Sequence, residues 1–180
     1  MEFEADASYA DCPDTARSRF GILGYSNGAF VYAKTGILKN VRTSTMDAET
    51  GALAQCTQAV IAARRYMADF GFPQDVTPIG EDNNAALLFS KPDASTKRAR
   101  HIHVDYHYTR EQQNEFKTIL IYRLPSKEMS ADMNTKNLPQ PLHAIHSSKA
   151  MGERVVKELE AQMQRRESQY CQMARTDLPT

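Results

Sequence analysis

The sequence of 180 residues predicts an α/β protein in which a mixed sheet is flanked by helices. Two observations support this class: several short runs alternate in the manner of strands, and one long run between them has helical periodicity. The predicted order of elements is β-β-β-α-β-α-α-β-α. We expect one domain over residues 1–146, followed by a C-terminal helical extension over residues 147–180.

The first third of the chain reads as extended structure. Residues 3–8 alternate, with Phe3 and Ala5 on one side and Glu4 and Asp6 on the other. Residues 20–25 and 29–33 are β-rich and flank a Ser-Asn-Gly turn, which predicts a hairpin. Part of residues 36–41 is a candidate for a further β segment.

A long helix follows, with Ser44 or Thr45 as its N-cap and Gly71 as its stop. Its apolar stripe occupies positions 49, 53, 56, 60, 63, 67 and 70, and Glu49 lies on that stripe. Burying a carboxylate is expensive unless something neutralises it. Glu49 therefore either reaches water past the start of the helix or faces a site there, and we favour the second interpretation.

The second half alternates shorter elements. Residues 76–80 predict a strand that Pro78 assigns to a sheet edge, and Asp82-Asn83 predicts the N-cap of a helix over residues 84–90. A helix over residues 94–116, a strand over 117–123 and a short helix around Asp132 complete the predicted domain.

Four acidic residues stand out because each lies at an element end or on an inward face: Asp6, Glu49, Asp82 and Asp132. Converging carboxylates bind hard divalent cations, and paired cations are widely used to cleave phosphodiesters. Asp82 has an alternative role as a simple helix cap, and this alternative stays open at the level of sequence.

Charge is unevenly distributed, although the net charge is zero. Residues 1–82 carry a net charge of −4 and residues 83–180 a net charge of +4, with a local basic stretch at residues 91–110. A zero total argues mildly against a nucleic-acid partner, and the basic stretch only partly offsets this. We find no apolar run long enough for a membrane span, and three scattered cysteines indicate an intracellular protein.

Six stretches, in the same order, resemble the ribonuclease H domain that closes the polyprotein of copia-type LTR retrotransposons. They are Ala5-Asp-Ala-Ser-Tyr-Ala-Asp-Cys-Pro-Asp-Thr15, Arg42-Thr-Ser-Thr-Met-Asp-Ala-Glu49, Gly71-Phe-Pro-Gln74, Asp82-Asn-Asn-Ala-Ala-Leu87, Arg100-His-Ile-His-Val-Asp-Tyr-His107 and Ala131-Asp-Met-Asn-Thr-Lys-Asn-Leu-Pro139. Together they span roughly residues 5–150. Each stretch alone is weak, but six in register are specific.

The resemblance implies a ribonuclease H-like fold with a five-stranded mixed sheet. It also implies cleavage of the RNA strand of RNA–DNA hybrids with two Mg²⁺ or Mn²⁺ ions. The residues that match the catalytic and metal-binding positions are Asp6, Glu49, Asp82 and Asp132. Polar residues near these positions, which are Ser8, Thr43, Ser44 and Asn83, would bind the hybrid through 2′-hydroxyls or a phosphate.

The sequence also departs from the family pattern. Thr50, Glu81 and His103 replace the usual Tyr, Cys and Asp, and no histidine occurs between Leu124 and Leu142 near the last aspartate. An alternative function is therefore a structural or assembly subunit, retained by a host without catalysis, that docks on a protein partner through residues 153–180. We expect an intracellular location, in the cytoplasm or a retroelement particle, with an organelle or the nucleus also possible.

Overall fold

The computed structural model describes residues 1–89 and 103–152 and is built on a five-stranded sheet with the spatial order β3-β2-β1-β4-β5. The strands are β1 (Glu2–Ser8), β2 (Arg19–Ser26), β3 (Ala29–Ile37), β4 (Thr77–Glu81) and β5 (Ile119–Arg123). The β1–β2 and β2–β3 pairs are antiparallel, whereas the β1–β4 and β4–β5 pairs are parallel. The predicted mixed sheet of five strands is therefore confirmed.

Four α-helices are described around this sheet, together with two 3₁₀ turns, Ser126–Glu128 and Ser130–Asn134. The helices are α1 (Thr45–Asp69), α2 (Asn84–Phe89), α3 (His103–Asn114) and α4 (Gln140–Ala150). Of the helix predicted over residues 94–116, residues 94–102 lie outside the described part of the chain, and so does the predicted segment 153–173. None of the helices in the described part combines the length and the apolar character that a membrane span requires.

The ends of α1 follow the sequence signals. The Ser44 hydroxyl accepts a hydrogen bond from the Asp47 N–H at 3.1 Å, and Gly71 adopts a φ of +85° just after the helix. Leu53, Cys56 and Val60 are buried as predicted, but Phe70 is 76% exposed, so the stripe does not extend to the last turn. A helix of 25 residues is longer than the strands it covers, so its last turn extends beyond the sheet.

Both faces of β1 are covered. Phe3 and Ala5 belong to the apolar core that includes the inner face of α1, whereas Glu4 and Asp6 contact the segment over residues 130–136 on the opposite face. The alternation predicted for this strand is confirmed, but its polar side is buried rather than solvated. This burial makes the two acids expensive unless they are compensated.

The presence of Pro78 predicted that β4 lies at a sheet edge. This prediction is wrong, because β4 lies between β1 and β5. Pairing with β1 involves only Ile79 and Gly80, so Pro78 lies outside that ladder and its missing N–H costs no bond there. A second correction concerns residues 36–41. They form no separate strand, because β3 continues to Ile37 and is followed by the buried Leu38.

Helix α4 was not predicted, and it continues across the predicted domain boundary at 146/147. Near its end, the Lys149 ammonium donates hydrogen bonds to the buried Glu4 carboxylate and to the Glu128 carbonyl oxygen. Residues 147–150 thus pack on the domain. The boundary itself stays a prediction.

Candidate metal centre

Three of the four predicted carboxylates meet at the carboxyl-terminal ends of the parallel strands β1 and β4. Asp6 lies in β1, Glu49 in the second turn of α1, and Asp82 directly after β4. One carboxylate oxygen from each lies within 4.8 Å of those of the other two. Because β1 and β4 are parallel neighbours, their carboxyl ends lie side by side, and the start of α1 faces them.

Asp82 is not the cap of α2. The Asn83 Oδ1 accepts hydrogen bonds from the N–H groups of Ala85 and Ala86, at 2.9 and 3.3 Å. The neighbouring asparagine therefore takes over the capping role that the sequence left open for Asp82. Asp82 remains half-buried, with its carboxylate directed at Asp6 and Glu49.

The fourth predicted residue, Asp132, lies beside Asp6 but outside the cluster of three. It belongs to the second 3₁₀ turn and is buried. The Lys136 ammonium donates to Asp132 Oδ1 at 2.7 Å and to Asp6 Oδ1 at 3.1 Å, so one lysine bridges two predicted metal ligands. The Thr135 hydroxyl donates to the other oxygen of Asp6.

A glycine lets this segment approach the sheet. Gly21 is the cross-strand partner of Asp6, and a Cβ at Gly21 would lie 2.7 Å from Asn134 Cβ and 2.9 Å from the Ala131 carbonyl oxygen. Any larger residue at position 21 would push the 3₁₀ turn away from β1. The distance between Asp132 and Asp6 therefore depends on a residue that carries no chemistry of its own.

Burial and mutual repulsion raise carboxyl pKa values here. Glu49 is buried, and its pKa is raised far above the ordinary value, first by desolvation and then by the charges of Glu81 and Asp6. Desolvation also raises the pKa of Asp132, to about 6, against the opposing effect of Lys136. In the described part of the chain, the buried Glu49 Oε2 has no hydrogen-bond partner.

Glu81 is a fifth acid of this region, and the four acids predicted to form the site do not include it. It is fully buried, its Oε1 accepts a hydrogen bond from the Asn83 N–H at 2.9 Å, and its Oε2 has no partner among the described residues. Desolvation raises its pKa well above the ordinary value. The period-two pattern of β4 could have revealed it, because Glu81 shares a face with Thr77 and Ile79.

This donor set fits a hard divalent cation. The ligand atoms are carboxylate oxygens, which Mg²⁺ and Mn²⁺ prefer, and all three lie within 4.8 Å of one another. An ion at ordinary bond lengths of about 2.0–2.2 Å joins oxygens up to about 4.4 Å apart, so small side-chain movements suffice to bind it. The unpartnered oxygen of Glu49 offers a buried acceptor that no protein donor satisfies among the described residues. A cation there would offset both the repulsion and the missing hydrogen bond.

Some of the predicted substrate-binding residues near this cluster already make hydrogen bonds within the protein. Ser8 is half-buried at the end of β1. Ser44 caps α1, and the N–H and hydroxyl of Thr43 donate to the Asp47 carboxylate, so a phosphate would have to compete with that carboxylate. Asn83 uses its Oδ1 to cap α2. Their role in binding stays a prediction.

The sequence is similar to part of one curated retroelement protein. It is 28% identical over 135 residues to the retrovirus-related Pol polyprotein from transposon TNT 1-94 of Nicotiana tabacum. The match covers 75% of this chain but only 10% of that polyprotein. No protein-family model matches the sequence.

Solved structures with the same fold are ribonucleases H. LC11-RNase H1, isolated from compost by a metagenomic approach, superposes with a TM-score of 0.53 at 10% identity and covers 73% of this chain and 89% of its own. The same enzyme in complex with an RNA/DNA hybrid gives a TM-score of 0.51 at 9% identity, with coverages of 74% and 91%.

The N-terminal RNase H domain of rv2228c from Mycobacterium tuberculosis gives a TM-score of 0.52 at 8% identity. The match covers 83% of this chain and 98% of that one. At such low identities these structures establish the fold. Together with the polyprotein match, they confirm the resemblance drawn from the sequence, which is to a ribonuclease H-like domain of retrotransposon origin.

Proposed function

We propose that this chain is a metal-dependent endoribonuclease that cleaves the RNA strand of RNA–DNA hybrids. The observation that supports this most is the meeting of Asp6, Glu49 and Asp82, from three separate elements, with oxygens within 4.8 Å of one another. The place of the cluster in the fold adds support, because it lies at the carboxyl ends of two parallel strands of a ribonuclease H-like sheet.

We assign metal binding and catalysis to Asp6, Glu49, Asp82 and Asp132, with two Mg²⁺ or Mn²⁺ ions as cofactors. Bound ions of this kind activate an attacking water and stabilise the departing 3′ oxygen. Asp6 is central because it belongs to both the cluster of three and the pair with Asp132. Glu49 and Asp82 would complete the ligands on one side of Asp6, and Asp132 on the other.

An RNA–DNA hybrid is the proposed substrate. LC11-RNase H1, which shares the fold, was solved with such a hybrid, and this supports the same partner here. Discrimination of RNA from DNA would depend on 2′-hydroxyl contacts in the wide minor groove, for which Ser8, Ser44 and Asn83 are the candidates near the cluster. Thr43 is a candidate for a phosphate contact at the start of α1.

The direct test is cleavage of a labelled hybrid in Mn²⁺ by the wild type and by Asp82→Asn. The variant should lose activity by at least about 100-fold, the upper range for loss of a residue that supports a metal ligand. Asp69→Asn is the matched control, because it makes the same chemical change at an exposed position near the end of α1. It should cleave like the wild type.

Other nucleic-acid duplexes serve as substrate controls in this test. Duplex DNA and duplex RNA of the same sequence should resist cleavage, and circular dichroism should show that both variants remain folded. If the wild type gives no more product than Asp82→Asn at any Mg²⁺ or Mn²⁺ concentration, the proposal of an enzyme fails.

A second candidate function is a structural or assembly subunit without catalysis, and one observation favours it. Lys136 already supplies a positive charge between Asp6 and Asp132, where catalysis needs a metal ion. Such a subunit would show neither cleavage nor stabilisation by divalent ions. Its docking element would be residues 153–180, which lie outside the described part of the chain.

A further inference from the structure

The four predicted acids form two groups that differ in how their charge is compensated. The open half is Glu49 and Asp82 together with Asp6, and the filled half is Asp132 together with Asp6. In the open half, Glu49 Oε2 is buried without a partner among the described residues. In the filled half, Lys136 lies 3.1 Å from Asp6 Oδ1 and 2.7 Å from Asp132 Oδ1. Asp6 belongs to both halves, and its second oxygen accepts from the Thr135 hydroxyl.

The local backbone positions Lys136 between Asp6 and Asp132. It follows Asp132 by four residues, and its backbone N–H donates to the Asp132 carbonyl oxygen at 2.9 Å, so ligand and lysine are carried by one short segment. Its side chain is 40% exposed, whereas that of Asp6 is fully buried. The ammonium thus reaches the acids from the solvent side, and it can move into water without becoming a buried charge that lacks a partner.

A divalent ion that bridges Asp6 and Asp132 would need the same two oxygens that the ammonium contacts. The ammonium and a divalent ion cannot both lie between these two oxygens, because they would occupy the same space and repel each other. Binding in the filled half is therefore an exchange. In the open half neither Glu49 nor Asp82 is ion-paired with a lysine among the described residues.

We propose that Lys136 is a tethered counter-ion that competes with a divalent cation for the Asp6–Asp132 pair. The open half then binds one ion readily, and the filled half binds a second ion only as Lys136 withdraws. This proposal rests on the proposed metal-dependent function. It adds a residue that sets how much divalent ion the chain requires, without itself being a metal ligand.

The test measures Mn²⁺ binding by titration calorimetry, and thermal unfolding with and without Mn²⁺, for the wild type, Lys136→Met and Lys136→Gln. The second ion should bind about fivefold more tightly in both variants, the size expected when a partly exposed ion pair no longer competes. The two variants differ in polarity, so a folding defect in one leaves the other to decide.

Lys149→Met is the matched control. Lys149 has nearly the same exposure, 39%, and likewise pairs with a buried acid of β1, but that acid is Glu4 and lies outside the cluster. This control should lose stability and should not gain Mn²⁺ affinity, because Lys149 contacts neither Asp6 nor Asp132.

The outcomes separate the two proposals. If the wild type binds Mn²⁺ and neither Lys136 variant binds it more tightly, Lys136 has only a structural role and the present inference is overturned. If the Lys136 variants and the wild type all fail to bind Mn²⁺, the metal-dependent function is overturned with it. If Lys149→Met gains affinity as well, the effect is one of general charge, and competition at Asp6–Asp132 is again excluded.

Discussion

Glu4 and Asp6 are two buried acids on the same face of β1, yet their surroundings differ in one decisive way. Glu4 accepts hydrogen bonds from the N–H groups of Ser130 and Ala131, at 2.6 and 3.1 Å, and pairs with Lys149. One negative charge thus meets one positive charge and two donors.

Asp6 shares its lysine with Asp132 and also faces the carboxyl groups of Glu49 and Asp82. In the described part of the chain, Lys136 is the only positively charged side chain that pairs with this group. The comparison teaches that burial of a carboxylate does not mark a functional site. A group of buried carboxyls that outnumbers its positive partners does point to one, because carboxyls with raised pKa values are concentrated at functional sites.

The largest expected effect is on cleavage, when the charge of either Asp6 or Glu4 is removed and the two variants are compared. Asp6→Asn should reduce Mn²⁺-dependent hybrid cleavage by at least about 100-fold, whereas Glu4→Gln should leave cleavage within a few-fold of the wild type. Stability should respond in the opposite order. Glu4→Gln should cost about 1–3 kcal/mol of unfolding free energy, because it weakens charged hydrogen bonds to Lys149 and two N–H groups.

Both quantities can be measured on the same preparations, by a cleavage time course and by urea unfolding without metal. Equal losses of cleavage in the two variants would show that Glu4 and Asp6 are not functionally distinct.

A pH series sharpens the comparison. The ordinary pKa of Glu49 is 4.5, and burial together with neighbouring acids raises it in the folded state. Above pH 4.5 the unfolded chain has released a proton that the folded chain retains. The folded state thus binds more protons, and this contribution to stability falls as the pH rises. The slope is at most about 1.4 kcal/mol per pH unit for each retained proton.

Urea unfolding without metal, from pH 5 to pH 8, measures this slope. Glu49→Gln should flatten it, and Mn²⁺ should also flatten it, since a bound cation favours the ionised carboxylates. A variant profile parallel to that of the wild type would exclude Glu49 as the retained proton's site.

The smallest expected effect concerns Asn83, which we assigned both to hybrid binding and to the cap of α2. Asn83→Ala should destabilise the protein by about 1 kcal/mol through loss of the cap. Asn83→Ser keeps a capping oxygen and should recover most of that stability. If hybrid affinity falls in both variants while stability recovers in the serine variant, the binding role is separate from the capping role. Unchanged affinity in both would remove Asn83 from the proposed substrate contacts.

Sequence patterns predicted the elements best where a local signal has one structural solution. Ser44 and Gly71 mark the ends of α1, and the alternation in β1 sets Phe3 against Glu4. The edge position predicted for β4 was wrong. Pro78 removes only one backbone N–H donor, and a strand can be central when that donor lies outside the ladder. Helix α4 escaped prediction because two prolines open it and its apolar side is weak.

For the site, the resemblance supplied the four acids, and the structure brings three of them together. Neither the resemblance nor the spacing predicted that Lys136 bridges Asp6 and Asp132, since that contact depends on how closely the 3₁₀ turn approaches Gly21. Contacts between residues more than 100 positions apart depend on packing, which local patterns do not encode.

The 3₁₀ turn Ser130–Asn134 is held at its start by Glu4, while Thr135 and Lys136, just beyond its end, hold Asp6. Glu4 in turn depends on Lys149 near the end of α4. A fragment trimmed at residue 146 for expression would therefore lose the cation that anchors Glu4, and Asp132 would gain positional freedom. We expect the shortest fragment with an ordered site to extend at least to Ala150, and a fragment that ends at the predicted domain boundary, residue 146, to be marginal.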